Sequence, residues 1–325
     1  MLFSGSMSRE MERNHTLDQR TATAGEADRA TDREMDALNR RVWSTATVLK
    51  AFGDDASPRT EWWTDPGERS AILSVADAVR GRPVLEVGVG GGRLVPILRL
   101  LTTEYIGIDY TPEMVALCHR LHPGVDVRLG DARDLSDFAD DAFDLVVFTF
   151  NGLDAIDHSD RSVALAEMRR VLRPGGLLIY SSHNMDGPCF RARPWHRAGA
   201  PQRSSWPISY RLMRWGGEIA LHPASFPQSV RNWFRLHRLG HVAESWAIAP
   251  VEAHDFDLLI HFTTYAGTRE ELAQVGLELV DAFDAERGRS VTSQSDTRDI
   301  RYFHFIARAP IDPIAPRFEA PSSAL

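Results

Sequence analysis

The strongest constraint on this chain is a series of short apolar runs, each too short to be a helix, recurring between helical stretches. Val84–Val87 comes first, bounded by glycine on its carboxyl side, and Glu104–Ile108, Val125–Leu129, Phe143–Phe150 and Leu177–Ser181 follow. Between them, Leu94–Leu101 and Pro112–Leu121 have helical composition, the second started by Thr111 and Pro112. Short buried strands that alternate with helices form βαβ units, and hence a parallel sheet covered on both faces.

That pattern does not fill the chain. Residues 1–35 are polar and lack apolar periodicity, so they read as a disordered arm. Residues 36–80 read as an N-terminal helical cap, with Met35, Leu38, Val42, Trp43 and Leu49 at helical spacing and a second helix over Pro66–Val79. The core spans 81–185. The alternation then stops over 186–255, a segment rich in Trp, Arg and Pro that reads as an inserted lid with a helix from Gln228 to about Ile248. Residues 256–309 are expected to complete the core sheet, with strands at Phe256–Thr263, Leu277–Phe283 and Arg301–Ala307 and a helix at Thr268–Val275. The tail 310–325, rich in Pro, Ala and Ser, reads as disordered.

The chemistry is concentrated where strands end. The first strand runs into Glu86-Val87-Gly88-Val89-Gly90-Gly91-Gly92-Arg93. Glycines at a strand-to-helix turn let a ligand approach the backbone, and the helix N-terminus favours polar or anionic groups. A dinucleotide fingerprint begun at Gly88 needs glycine at position 93, where Arg93 stands. Glu86 also repels a pyrophosphate and favours a cationic amino acid moiety. The second strand ends in Asp109 and Tyr110, and a carboxylate there accepts from both hydroxyls of a ribose. Asp131 and Ala132 follow the third strand; Asp131 suits either an adenine amino group or a helix cap. The fourth ends in Phe148, Thr149, Phe150 and Asn151, and Arg173-Pro174-Gly175-Gly176 introduces the fifth.

These five ordered motifs resemble the class I S-adenosylmethionine-dependent methyltransferase family, strongly over 82–183 and more loosely over 256–309. The resemblance implies an α/β fold: a doubly wound, mostly parallel seven-stranded sheet, Rossmann-like, with an inserted helical lid and an antiparallel hairpin at the edge. It implies S-adenosylmethionine as cofactor and S-adenosylhomocysteine as product. By it, Gly88 and Gly90 carry the methionine part with Glu86, Asp109 binds ribose, Tyr110 packs on adenine, and Asp131 and Ala132 meet the adenine edge. The stretch from Phe148 to Asn151 lines the methionine and the acceptor, and the acceptor, beyond the carboxyl ends of the strands, should meet Asn151–Asp157 and Ser181–Asp186.

All eight Trp lie outside these motifs: Trp43, Trp62 and Trp63 before them, and Trp195, Trp206, Trp215, Trp233 and Trp246 after Asn184. An aromatic cover with local Arg excess suits a flat aromatic acceptor or one with a carboxylate or phosphate. A sulfonium methyl needs chiefly alignment, with a base only where the nucleophile holds its proton tightly. His183, at the end of the fifth strand beside Asn184, is the best-placed base, with Asp154 a further catalytic candidate. No His, Asp and Glu cluster stands at metal-ligand spacing.

The expected activity is methyl transfer to a small molecule, an aromatic or indole-like natural product methylated at carbon or nitrogen. Alternatives are an RNA or protein methyltransferase using the Arg-rich insertion, a methyltransferase-like protein with another reaction, and an NAD-dependent oxidoreductase, which Arg93 and Glu86 disfavour. The net charge of −8 argues against a general nucleic-acid or membrane-surface binder, and no apolar run is long enough to span a bilayer. With two cysteines and no secretory signal, the expected place is the cytoplasm, and the assembly to test is a homodimer.

Overall fold

A computed structural model describes residues 35–45, 64–195 and 225–311. The expected arm and tail, Trp62, Trp63, Trp206 and Trp215, and the centre of the lid lie outside the described residues.

The parallel sheet is built from β1 (Val84–Val87), β2 (Tyr105–Asp109), β3 (Val127–Leu129), β4 (Phe143–Phe148) and β5 (Leu172–Asn184), in spatial order β3-β2-β1-β4-β5. Strand order reverses between β1 and β4, which opens a crevice at their carboxyl ends. β10 (Tyr302–Arg308) lies antiparallel beside β5, and β9 (Glu278–Asp284) beside β10, completing seven strands with a hairpin at the edge. One face of the sheet packs Ala164, Leu165 and Met168 of the helix His158–Val171. The other packs Ala71, Ile72 and Val75 of the helix Pro66–Val79.

Local sequence explains the helix starts. Asp65 caps Pro66–Val79 by accepting from the Glu68 N–H at 2.8 Å, with Pro66 in the first turn. Asp157 caps His158–Val171 in the same way, through the Asp160 N–H at 2.8 Å.

The insertion departs from expectation. Its helix is Ser225–Leu236, not a stretch reaching Ile248, and it is followed by β6 (His241–Val242) and β7 (Trp246–Val251). Gly240 breaks the helical period, and from Trp246 the sequence suits a strand, with Pro250 placed past the short pairing with β6. Among its described residues the lid thus holds strands as well as a helix. β8 (Leu258–Thr263), expected in the core, pairs antiparallel with β7 along its whole length and touches β5 only at His183 and Asn184. β5 outruns β4, whose pairing ends at Phe148 with Tyr180, and β8 takes the vacated side of β5. The three-stranded unit β8-β7-β6 thus stands directly above the carboxyl end of β4.

Candidate active site

A solvent-connected cleft lies over the carboxyl ends of β1, β2 and β4. Eight of the residues expected to hold a cofactor line it: Glu86, Gly88, Gly90, Asp109, Tyr110, Asp131, Ala132 and Phe148. Asn151 does not. It sits at the rim in a left-handed conformation, its N–H donating to Ser181 Oγ at 2.6 Å.

The glycine turn is shaped around Phe148. A Cβ on Gly88, whose φ is +67°, would stand 2.7 Å from the Phe148 ring, and one on Gly152 would stand 2.2 Å from it. Both positions require glycine if Phe148 is to floor the cleft. Asp109, at the end of β2, ties the turn to its neighbour: its Oδ2 accepts from Gly90 N–H at 2.9 Å and its Oδ1 from Thr111 N–H at 2.8 Å. Burial pushes the Asp109 carboxyl upward in pKa, opposed by those two backbone donors.

Glu86 is buried, and its Oε2 accepts from the Tyr105 hydroxyl at 2.6 Å. Burial raises its pKa to about 7, against the Tyr105 bond and the nearby charge of Arg93. A carboxyl held this way gains most from an added cation, so the donor set fits the ammonium and ribose of S-adenosylmethionine. Tyr110 packs under the Arg40 guanidinium, 4.4 Å from its ring centroid. Asp131 is gripped by Arg133, which donates to its two oxygens at 3.0 and 2.7 Å. Burial raises the Asp131 carboxyl, and the Arg133 bonds outweigh it, leaving the pKa below the usual value.

Further side chains shape the cleft. Arg93 donates to Glu68 at 2.7 Å and to Thr149 Oγ1 at 3.3 Å, and stands 4.8 Å from the Phe150 ring centroid. Trp43, Thr149 and Ile156 line the same cleft. No spacing in the sequence links Glu68 to Arg93. Thr149 falls in the stretch Phe148–Asn151 and Ile156 in Asn151–Asp157, both expected at the ligands, and Trp43 stood out as an aromatic in the N-terminal helix outside the motifs.

Phe150 and Asn151 both take positive φ, 57° and 59°, and Phe150 remains 52% exposed. The left-handed region is strained for a bulky side chain, so this bend holds an aromatic face at the cleft against local preference.

The catalytic candidates Asp154, His183 and Asn184 are not among the residues that line the cleft. The turn Gly152–Ala155 presents Gly152 and Ala155 to the cleft, while Asp154 faces away and is fully buried. Asp154 Oδ2 accepts from the His183 backbone N–H at 2.7 Å and lies 2.7 Å from His183 Nδ1. Its Oδ1 accepts from Ser182 Oγ at 2.5 Å and from Arg161 at 3.0 Å. The fully buried Arg161 in turn donates to Glu271 at 2.8 Å. The His183 ring, 14% exposed, is flanked by Phe262 and Tyr302. Asn184 belongs elsewhere. It is fully buried, and its amide donates to the Thr297 and Ile300 carbonyls at 2.6 and 2.9 Å while its oxygen accepts from Asp186 N–H at 3.0 Å. With its hydrogen-bonding capacity engaged in anchoring a loop, it is placed to support structure rather than to touch a substrate.

Comparison with known proteins follows the same geography. A family model described as a methyltransferase domain matches residues 85–180. The chain is 33% identical over 221 residues to a demethylmenaquinone methyltransferase of Renibacterium salmoninarum, covering 58% of this chain and 90% of that protein. It is 32% identical over 162 residues to a ubiquinone biosynthesis O-methyltransferase of Pseudomonas syringae pv. tomato, covering 48% of this chain and 64% of that one, less than two thirds of its length. Among solved structures, Burkholderia thailandensis 1,6-didemethyltoxoflavin-N1-methyltransferase, with bound 1,6-didemethyltoxoflavin and S-adenosylhomocysteine, shares the fold at a TM-score of 0.50 and 14% identity. That match covers 86% of this chain and 90% of the other.

Proposed function

From the premise that this chain belongs to the class I S-adenosylmethionine-dependent methyltransferase family, we propose that its acceptor is a planar aromatic small molecule, such as an indole-like natural product, methylated at a ring carbon or nitrogen. The observation that carries this reading is Phe150. Its ring is held exposed at the cleft by an unfavourable backbone conformation, with Trp43 lining the same cleft. Exposed aromatic faces at a ligand cleft favour flat ring ligands. The two curated relatives are named for menaquinone and ubiquinone chemistry, both built on a quinone ring, which supports a ring acceptor.

Bound S-adenosylmethionine supplies an activated methyl group. The chain's residues position and balance charge around it: Glu86 takes the ammonium, Asp109 the ribose hydroxyls, and Tyr110 with Ala132 the adenine. Phe148 and the glycine turn fix the depth of the cleft. Asn151 stands at the rim and orients the loop. His183, held in one orientation by Asp154, accepts the proton that the methylated ring nitrogen or carbon releases. Two buried free cysteines, Cys118 and Cys189, suit a reducing cytoplasm.

The test is an acceptor panel of indoles, quinols, aliphatic acids and sugars, with formation of S-adenosylhomocysteine as the readout. Turnover confined to the ring compounds is expected. Turnover only with aliphatic acids or sugars would overturn the proposal.

A further inference from the structure

The charge of this chain is unevenly distributed. Its total is −8, yet the stretch 187–243 holds nine Arg against Glu218 alone. The described part of that stretch includes the helix Ser225–Leu236 and the turn His237–Leu239, which contain no acidic residue. Phe226, Ser229, Asn232, Trp233 and Leu236 face inward and are buried. The opposite face carries Arg231, Phe234, Arg235 and Arg238, all exposed and spaced to form one stripe.

Aromatic rings sit within this basic stripe. Phe234 is 53% exposed and Trp195 is 42% exposed, and their ring centroids are 6.2 Å apart. Trp195 also meets the edge of Trp233 at 5.2 Å, which in turn carries the Arg193 guanidinium 5.5 Å from its centroid. Arg235 pairs with Asp257, whereas Arg231 and Arg238 have no ion-pair partner among the described residues. The chain continues past Gly240 into exposed His241 and Val242.

We propose that this face docks the protein on an anionic lipid surface, with Phe234 and Trp195 entering the headgroup region and Arg231 and Arg238 meeting lipid phosphates. Three features favour a bilayer over a nucleic acid. The face is the convex side of a helix, whereas single-stranded nucleic acid is held in grooves that track its backbone. Exposed Val242, which follows the helix in the chain, is aliphatic and offers no ring on which a base could stack. Arginine around an interfacial aromatic is the arrangement of helices that lie in the plane of a membrane. No helix among the described residues is long and apolar enough to cross one, so the contact would be peripheral. The proposal stands apart from the identity of the acceptor.

The experiment is co-sedimentation of the full chain with phosphatidylcholine vesicles, with and without phosphatidylglycerol, at low and high salt. Binding to the anionic vesicles at low salt, weakened by salt, is expected. Arg231→Gln with Arg238→Gln should lower the partition about 25-fold, from about fivefold per arginine at a membrane surface. Phe234→Ser should lower it about tenfold through lost apolar burial. All variants should keep wild-type affinity for S-adenosylhomocysteine, which shows that the fold is intact. Equal sedimentation with neutral vesicles, or variants that bind as wild type does, would overturn the proposal. So would salt-dependent binding of single-stranded RNA without vesicle binding.

Discussion

The two halves of the ligand-facing edge are built by different means. Over β1 and β2 the site is a property of the backbone. Gly88, Gly90 and Asp109 lie at strand ends or in the turns just after them, and Asp109 is fixed by N–H groups of Gly90 and Thr111. Over β5 the site is a property of distant side chains. His183 depends on Asp154 from a short turn, Asp154 on Arg161 from a core helix, and Arg161 on Glu271 from the helix Tyr265–Gln274. A site made of turns shows in the order of residues along the chain. A site made of a buried charge network does not, because its members are 7 to 110 residues apart.

The sharpest way to separate the halves is to disable one and measure the other. His183→Ala should lower kcat about 10² to 10⁴-fold, the range for loss of a positioned general base, while S-adenosylhomocysteine affinity in calorimetry stays at wild type. A matching loss of cofactor affinity would merge the two regions into one. Asp154→Asn should act on the same step and also destabilise the fold by about 3–5 kcal/mol in chemical denaturation, since it leaves Arg161 buried with a weaker partner.

The reverse experiment is Gly88→Val. Its side chain would meet the Phe148 ring from a backbone conformation that β-branched residues avoid. Overpacking of this kind costs about 1–3 kcal/mol, so cofactor affinity should fall about 100-fold while the His183 network is untouched. Unchanged affinity would show that Phe148 does not set the depth of the cleft.

A smaller effect comes from protons. Glu86 has its pKa raised from 4.5 to about 7 by burial. Its protonated form is therefore favoured in the fold, and this contribution to stability is full below pH 4.5 and lost as pH rises through about 7. Binding an ammonium requires the ionised form. Affinity for S-adenosylhomocysteine should thus fall up to about tenfold per pH unit below pH 7, with proton release on binding near neutrality. A flat pH profile in Glu86→Gln would confirm the source; the same slope in that variant would remove it. The smallest expected change is from Thr149→Val, which removes one bond to Arg93 and should cost about fivefold in KM for the acceptor.

The contrast also marks what the sequence could carry. The glycine turn, the acid ending β2 and the helix starts at Pro66 and Pro112 were legible, because each depends on neighbours within a few residues. The lid helix expected to reach Ile248 stops at Leu236, before Gly240, and Trp246–Val251 is a strand. β8 was legible as a strand of the sheet, where it pairs with β5, but an apolar run of strand length does not state its other partner, β7, which precedes it in the lid. Asn184 looked functional from its position at the tip of β5, where its real role is to hold the loop at Thr297 and Ile300. The Arg161–Glu271 pair had no sequence signal, since buried ions are recognised only by what surrounds them.

The central claim, that the cleft over β1 and β2 is the S-adenosylmethionine site, is tested most directly by calorimetric titration with S-adenosylhomocysteine on the wild type and Asp109→Ala, with NAD as the control. The account predicts micromolar binding of S-adenosylhomocysteine by the wild type, none of NAD, and at least about 100-fold weaker binding by the variant, as expected for loss of charged hydrogen bonds. Binding of NAD instead, or undiminished S-adenosylhomocysteine binding by Asp109→Ala, would contradict it.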